Sequence, residues 1–319
     1  MEISRRQFGL NALIGITLPS IHGMLPSIGA QSLKVADIGG GVRLHYEERS
    51  AGVPIVFVHG SLSDYTYWQG QLEPFSVNYR AVAYSRRYNY PNSNPVVSGY
   101  SAITDADDLA AFVTTLGLGK VVIIGHSYGA LTALFLAIRH PEIALAIVLA
   151  EAPVVSLLNH LSEARASEGK AMFQDIQTRM VTPMKEAFAR GDRGAGTAVF
   201  MNYVFNDPAA WSKMSRTSQD ETLRDAHEWD VVMTSGTLFP DMDPTLLQNI
   251  ASPVLMLSGA KSYSFLSMID ERVSQLLPAN QRIIFSDSGH QMWLQHPNQC
   301  RSYVQAFLEQ NGIRALGRR

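Results

Sequence analysis

The sequence predicts an α/β domain built on a mostly parallel eight-stranded sheet, with helices on both faces and an inserted helical cap. Three observations carry this reading. Several segments are unbroken β-branched apolar runs, the pattern of strands buried on both faces. Helical stretches separate them, as a doubly wound sheet requires. One connection, residues 154–246, is far too long for a simple crossover and must have structure of its own.

Taken in order, "LKVADI" and "VRLHYEE" flank Gly39, Gly40 and Gly41 and read as a hairpin. "PIVFVHG" (54–60), "YRAVAYS" (79–85), "KVVIIGHS" (120–127), "LAIVLAEA" (145–152), "PVLMLSG" (253–259) and "QRIIFSDSGH" (281–290) supply the remaining strands. Between them lie "ITDADDLAAFVTTLG", with an acidic first turn, "YGALTALFLAIRHPE", "SFLSMIDERVSQLLP" and the closing "PNQCRSYVQAFLEQNG". The core is thus expected over residues 33–153 and 247–319, with a cap over 154–246. Within the cap, helical periodicity runs through "EARASEGKAMFQDIQTRMVTPMKEAFARG" and "PAAWSKMSRTSQDETLRDAHEW".

Composition narrows the function. The 319 residues are 46% hydrophobic with a formal net charge of -2, which gives no sign of a nucleic-acid partner. The single cysteine, Cys300, excludes an intrachain disulfide and a zinc site built on paired cysteines. No histidine–carboxylate cluster has metal-ligand spacing, and "LGLGKVV" precedes a strand and lacks Lys-Ser/Thr, so it is not a phosphate loop. No metal or cofactor is expected. Residues 1–32 carry Arg5-Arg6 and a short apolar stretch interrupted by Pro19 and His22, ending near Ala30-Gln31-Ser32. This resembles a twin-arginine export signal and spans a bilayer poorly, so a periplasmic protein without a stable membrane span is expected.

"VVIIGHSYGA" places Gly125, Ser127 and Gly129 between an apolar strand and an Ala/Leu-rich helix. This is G-x-S-x-G in strand–turn–helix context: the glycines permit a tight turn that lifts the serine hydroxyl clear, and the helix beginning at Tyr128 aims its N–H groups at it. With "FVHG" ending the third strand, "IRHPE" after the nucleophile helix and "SDSGHQMWLQHP" near the C-terminus, the chain resembles the α/β-hydrolase superfamily from about residue 33 to 310. The resemblance implies a base at His290 and an oxyanion hole from the backbone N–H groups of Ser61 and Tyr128. His126, inside the elbow, is expected to pack rather than react.

The acid departs from the pattern. Most members carry an aspartate after the seventh strand, and here that loop reads "SGAKSYSF", with Ser262 in its place. Glu151 ends the sixth strand, next to the nucleophile strand about 4.8 Å away, and a carboxylate there can reach the far side of His290. Some relatives, among them haloalkane dehalogenases and zearalenone lactonase, take their acid from this position. The chain order Ser127, Glu151, His290 also matches the fold. The rival reading makes Glu151 a structural carboxylate capping a cap helix, with Asp287 or Asp270 as the acid. Asp287 lies close to His290 in sequence, and Asp270 lies well along a helix.

Substrate contacts are the least determined. Arg86 and Arg87, in "YSRRYNYPNSN", either line the pocket mouth and bind a substrate carboxylate or snorkel from a surface turn. Trp68, Phe173, Met180, Phe200, Trp211 and Trp229 either line an apolar pocket or pack as core; Trp68, Arg86, Met180 and Trp211 are the substrate-binding candidates. The expected activity is hydrolysis of a small-molecule carboxylic ester through an acyl-enzyme on Ser127. The alternatives are a lactonase or carbon–carbon bond hydrolase with the same triad, and a small-molecule binder without turnover on a degenerate hydrolase fold. A nucleophilic serine argues against dehalogenase and epoxide hydrolase chemistry, which need a carboxylate.

Overall fold

A computed structural model describes residues 33–314; the export-signal expectation for residues 1–32 lies outside them. The sheet has eight strands in the order β1-β2-β4-β3-β5-β6-β7-β8. These are β1 (Lys34–Asp37), β2 (Arg43–Arg49), β3 (Pro54–Val58), β4 (Arg80–Tyr84), β5 (Val121–His126), β6 (Ala144–Ala150), β7 (Val254–Gly259) and β8 (Asn280–Phe285). The β1–β2 hairpin joins antiparallel to β4, and every pairing from β4 through β8 is parallel.

The period of two in a strand divides the core into two layers. On β3, Val56 and Val58 face one layer while Ile55 and Phe57 face the other. The first layer is filled from α2 (Ala102–Thr115) and α3 (Tyr128–Arg139), the second from α1 (Gln69–Ser76) and the C-terminal helix Pro297–Gln310. β5 and β7 are buried along their whole length, which is why they read as continuous apolar runs. Ser101 starts α2 with a capping box, its hydroxyl accepting from the Ile103 N–H while the Thr104 side chain receives the Ser101 N–H.

All elements between β6 and β7 are helical. They include α4 (Ala166–Ile176), α5 (Thr182–Ala189), α6 (Arg193–Val204), α7 (Ala210–Lys213), α8 (Arg216–Arg224), α9 (His227–Ser235) and α10 (Pro244–Leu247). Two stretches that read as continuous helices are broken. Pro183 has no N–H to give the preceding turn, and the chain widens into a π-type turn over Gln177–Val181 before α5 begins. The second stretch divides into α7, α8 and α9, with Ser215 capping α8 through the Ser218 N–H. After β7 come α11 (Ser264–Leu276), then β8, then α12 (Met292–Gln295) and α13 (Pro297–Gln310). No helix among the described residues is long and apolar enough to cross a membrane.

The parallel strands β3, β5, β6, β7 and β8 all end on the same edge, the usual ligand edge of an open α/β sheet. Ser61, Ser127, Glu151 and His290 each follow a strand end there.

Candidate active site

Ser127 occupies a tight, strained turn. Its backbone stands at φ 53, ψ -121, a region L-residues rarely adopt, between β5 and the first residue of α3. The turn closes because its N–H donates to the Ala150 carbonyl at 2.8 Å and its own carbonyl accepts from Ala130 and Leu131. Neither flanking glycine has room for a side chain. A Cβ on Gly125 would lie 2.4 Å from the Gly129 carbonyl oxygen, and one on Gly129 would lie 2.2 Å from that of Val58. The motif therefore reflects a close approach of three backbone segments.

Glu151 begins immediately after β6 with a left-handed backbone, φ 51. Its carboxylate is 1% exposed and each oxygen has a partner. Oε1 accepts the Gly259 N–H at 2.7 Å, and Oε2 lies 2.6 Å from Nδ1 of His290. The buried charge is thus compensated by a backbone donor from β7 and by the imidazole.

The rival carboxylates sit elsewhere. Asp287 is exposed and pairs with Nε2 of His296 at 3.3 Å. Asp270 is buried in α11, where it accepts the Ser258 hydroxyl at 2.5 Å. Burial first, and then the charge of Glu151, push its carboxyl up to about 8. Ser262, at the position of the missing aspartate, lines a polar hollow with Lys261, Gln291 and Gln295 beside His290.

His126 packs. Its Nε2 donates to the His290 carbonyl at 2.8 Å, and its ring stacks on Tyr67 at 5.1 Å. Burial lowers it to about 3, so the ring is neutral and braces the loop that carries His290.

Ser127, His290, Ser61 and Tyr128 line one cleft. Its other walls come from Pro153, from the cap residues Met180, Phe200, Val204, Trp229 and Phe239, and from Phe265 and Leu266 of α11. None of the lining side chains carries a carboxylate, ammonium or guanidinium.

Of the four substrate-binding candidates, Met180 lines this cleft and three do not. Trp68 lies on the opposite face of the sheet, against Phe57 at 5.0 Å and Trp293 at 5.1 Å. Trp211, in α7, is held through its backbone N–H by the Asn202 side chain, away from the cleft walls. Arg86 is not at a pocket mouth. It is 0% exposed, and its guanidinium is engaged by the carbonyls of His59 and Gly60 and by Asp105 and Glu228. A guanidinium so committed has no face left for a substrate carboxylate. Arg87 forms a two-pronged pair with Asp108. Phe173 packs against the core outside the lining, whereas Phe200 and Trp229 line the cleft.

Several contributors had no local signal. Asp105 sits in an ordinary acidic first turn, Glu228 reads as a surface residue of a cap helix, and Gly259 acts only through its N–H. Each is recruited by long-range contact.

Comparison with known proteins agrees with the fold. A family model described as alpha/beta hydrolase fold matches residues 53–181. Epoxide hydrolase 3 of Mus musculus is 24% identical over 84% of this chain and 74% of its own length. A non-heme chloroperoxidase of Kitasatospora aureofaciens is 39% identical, over 28% of this chain and 32% of its own length. Among solved structures, carboxylesterase CesB from Bacillus subtilis superposes with a TM-score of 0.65 at 17% identity, covering 87% of this chain and 91% of that one. Est816, described as an N-acyl homoserine lactone degrading enzyme, gives 0.64 at 19% identity, covering 86% and 100%. With its sheet order and its serine elbow, the chain has the α/β-hydrolase fold.

Proposed function

We propose that this protein is a serine hydrolase that cleaves uncharged carboxylic esters through an acyl-enzyme on Ser127. The observation that carries the reading is the 2.6 Å contact between His290 Nδ1 and Glu151 Oε2, with the other oxygen anchored on the Gly259 N–H. A carboxylate on Nδ1 keeps the proton there, leaves Nε2 free to act as base, and stabilises the imidazolium that forms.

In the first half-reaction His290 takes the Ser127 proton as Oγ attacks the ester carbonyl. The developing oxyanion is received by the N–H groups of Ser61 and Tyr128, each worth about 2.7–4 kcal/mol to the transition state. His290 then hands its proton to the leaving alkoxide. Water repeats the sequence against the acyl-enzyme and releases the acid. The apolar walls from the cap and α11 favour neutral acyl or alcohol groups over charged ones. Epoxide opening of the kind named for the murine relative needs a carboxylate nucleophile, and Ser127 is not one.

The test is a fluorophosphonate probe followed by hydrolysis of an ester panel of graded acyl length that includes simple lactones. Labelling and turnover that vanish in Ser127→Ala support the assignment. A preference for the lactones would make the protein a lactonase with the same chemistry. A folded wild-type protein that is neither labelled nor active would make it a binder.

A further inference from the structure

The mechanism above leaves one large charged group unused. Arg86 is fully buried between α2 and the cap helix α9, with a carboxylate from each against it. A buried ion cluster is a poor way to gain stability, because desolvation consumes most of the Coulombic attraction. What Arg86 holds is more informative than what it stabilises.

Nη2 donates to the Gly60 carbonyl at 3.1 Å and Nε to the His59 carbonyl at 3.3 Å. The Gly60 carbonyl belongs to the same peptide unit as the Ser61 N–H. That unit is planar and trans, so its C=O and N–H point in opposite directions. Fixing the oxygen on one side commits the N–H to the other. A cation at the oxygen end also polarises the unit and makes its N–H a stronger donor.

Five further contacts make the hold rigid. The His59 ring accepts the Arg86 backbone N–H on Nε2 at 3.0 Å, so its proton sits on Nδ1, which donates to the same Gly60 oxygen at 2.9 Å. The Arg86 carbonyl is pinned by the Asn89 N–H at 3.0 Å and by the Asn92 side chain at 2.9 Å. The guanidinium also lies 4.9 Å from the ring centroid of Tyr128, whose N–H is the other proposed oxyanion donor.

The remaining nitrogen faces α2 and the cap. Nη1 pairs with Asp105 of α2 at 2.7 Å and with Glu228 of α9 in the cap. Glu228 also accepts from Asn89 at 3.1 Å, and the next residue, Trp229, is a wall of the cleft.

We propose that Arg86 is a positioning residue for the oxyanion hole, aiming the Ser61 N–H by holding the Gly60 carbonyl, and that Glu228 links the seating of the cap to that hold. The proposal rests on the reading of Ser61 as an oxyanion donor in the hydrolase described above. It makes a cap side chain part of what tunes transition-state binding, with no contact to substrate.

The experiment compares Arg86→Lys, Glu228→Gln and the neighbouring control Arg87→Gln with wild type. It reads kcat and KM on the best ester and the inhibition constant of a trifluoromethyl ketone, which forms a tetrahedral adduct. Arg86→Lys keeps the charge and loses the fork, so kcat is expected to fall about 10–100-fold with KM within about threefold. Ketone affinity should fall by the same factor. Glu228→Gln should move both in the same direction by about 3–10-fold. Arg87→Gln should change neither. A purely structural role would lower the melting temperature and leave both kcat and ketone affinity of the folded variant unchanged. If Arg86→Lys does not fold, Glu228→Gln decides, since it removes only a charge. Folded variants with wild-type kcat and ketone affinity would overturn the proposal while leaving the hydrolase assignment standing. A wild type without Ser127-dependent turnover would instead remove the assignment itself.

Discussion

Glu151→Gln is the substitution whose outcome the geometry constrains most tightly. The side chain keeps its size, so the packing of this 1%-exposed position is preserved. Its hydrogen-bonding is not. The Gly259 N–H, 2.7 Å from Oε1, can be satisfied only by the amide oxygen. The amide NH2 then faces His290 Nδ1, 2.6 Å from where Oε2 stood. A donor there forces Nδ1 to accept, which moves the imidazole proton to Nε2, the nitrogen that the proposed mechanism uses as base. The flipped amide is worse, because it sets NH2 against the buried Gly259 N–H. The substitution therefore locks the wrong tautomer and removes the charge that stabilises the imidazolium. In serine hydrolases the equivalent exchange lowers kcat by about 10⁴, which corresponds to about 5.5 kcal/mol of transition-state stabilisation. The assay is steady-state hydrolysis of an activated ester, with circular dichroism and denaturant titration to confirm an intact fold. Asp287→Asn and Asp270→Asn serve as parallel arms. A Glu151→Gln enzyme with kcat within about tenfold of wild type, while one of the other two loses activity, would refute the tautomer argument and move the acid.

Further outcomes follow from the same structure. Gly129→Ala would set a Cβ 2.2 Å from the Val58 carbonyl oxygen, so it is expected to destabilise the fold by about 3 kcal/mol in urea titrations; a wild-type midpoint would mean the elbow shifts freely. The Asp270 carboxyl stands at about 8 against an ordinary 3.8, so the native state keeps a proton that the unfolded chain has released. Its contribution is fully present below about pH 4 and is lost as pH rises through about 8, with a slope of up to about 1.4 kcal/mol per unit. Asp270→Asn should remove that slope, and a wild-type-minus-variant stability difference that stays constant from pH 5 to 8 would refute it. Replacing Arg5 and Arg6 with lysine should retain the protein in the cytoplasm of a bacterial host with the twin-arginine pathway, as read by cell fractionation; undiminished export would refute the signal reading.

The sequence by itself determined whatever depends on contiguous residues. The runs "PIVFVHG" and "KVVIIGHS" announce strands buried on both faces, because a parallel sheet covered by helices leaves no polar side to write into the pattern. The elbow is legible for the same reason: strand, strained serine, clearance glycines and helix all fall within one short stretch. Glu151 stands out because a carboxylate ending an apolar run must find a partner. Periodicity was less informative in the cap, where Pro183 and short caps divide helices that look continuous. Which way a large side chain faces was decided by tertiary structure alone. Trp68 follows β3 closely and still packs beneath the sheet, whereas Trp229, far along the chain, forms a wall of the cleft. Arg86 reads as a surface arginine until Asp105 and Glu228, from two other helices, close around it. Local sequence sets backbone period and strain; burial and charge partnership are set by segments that meet only when the chain has folded.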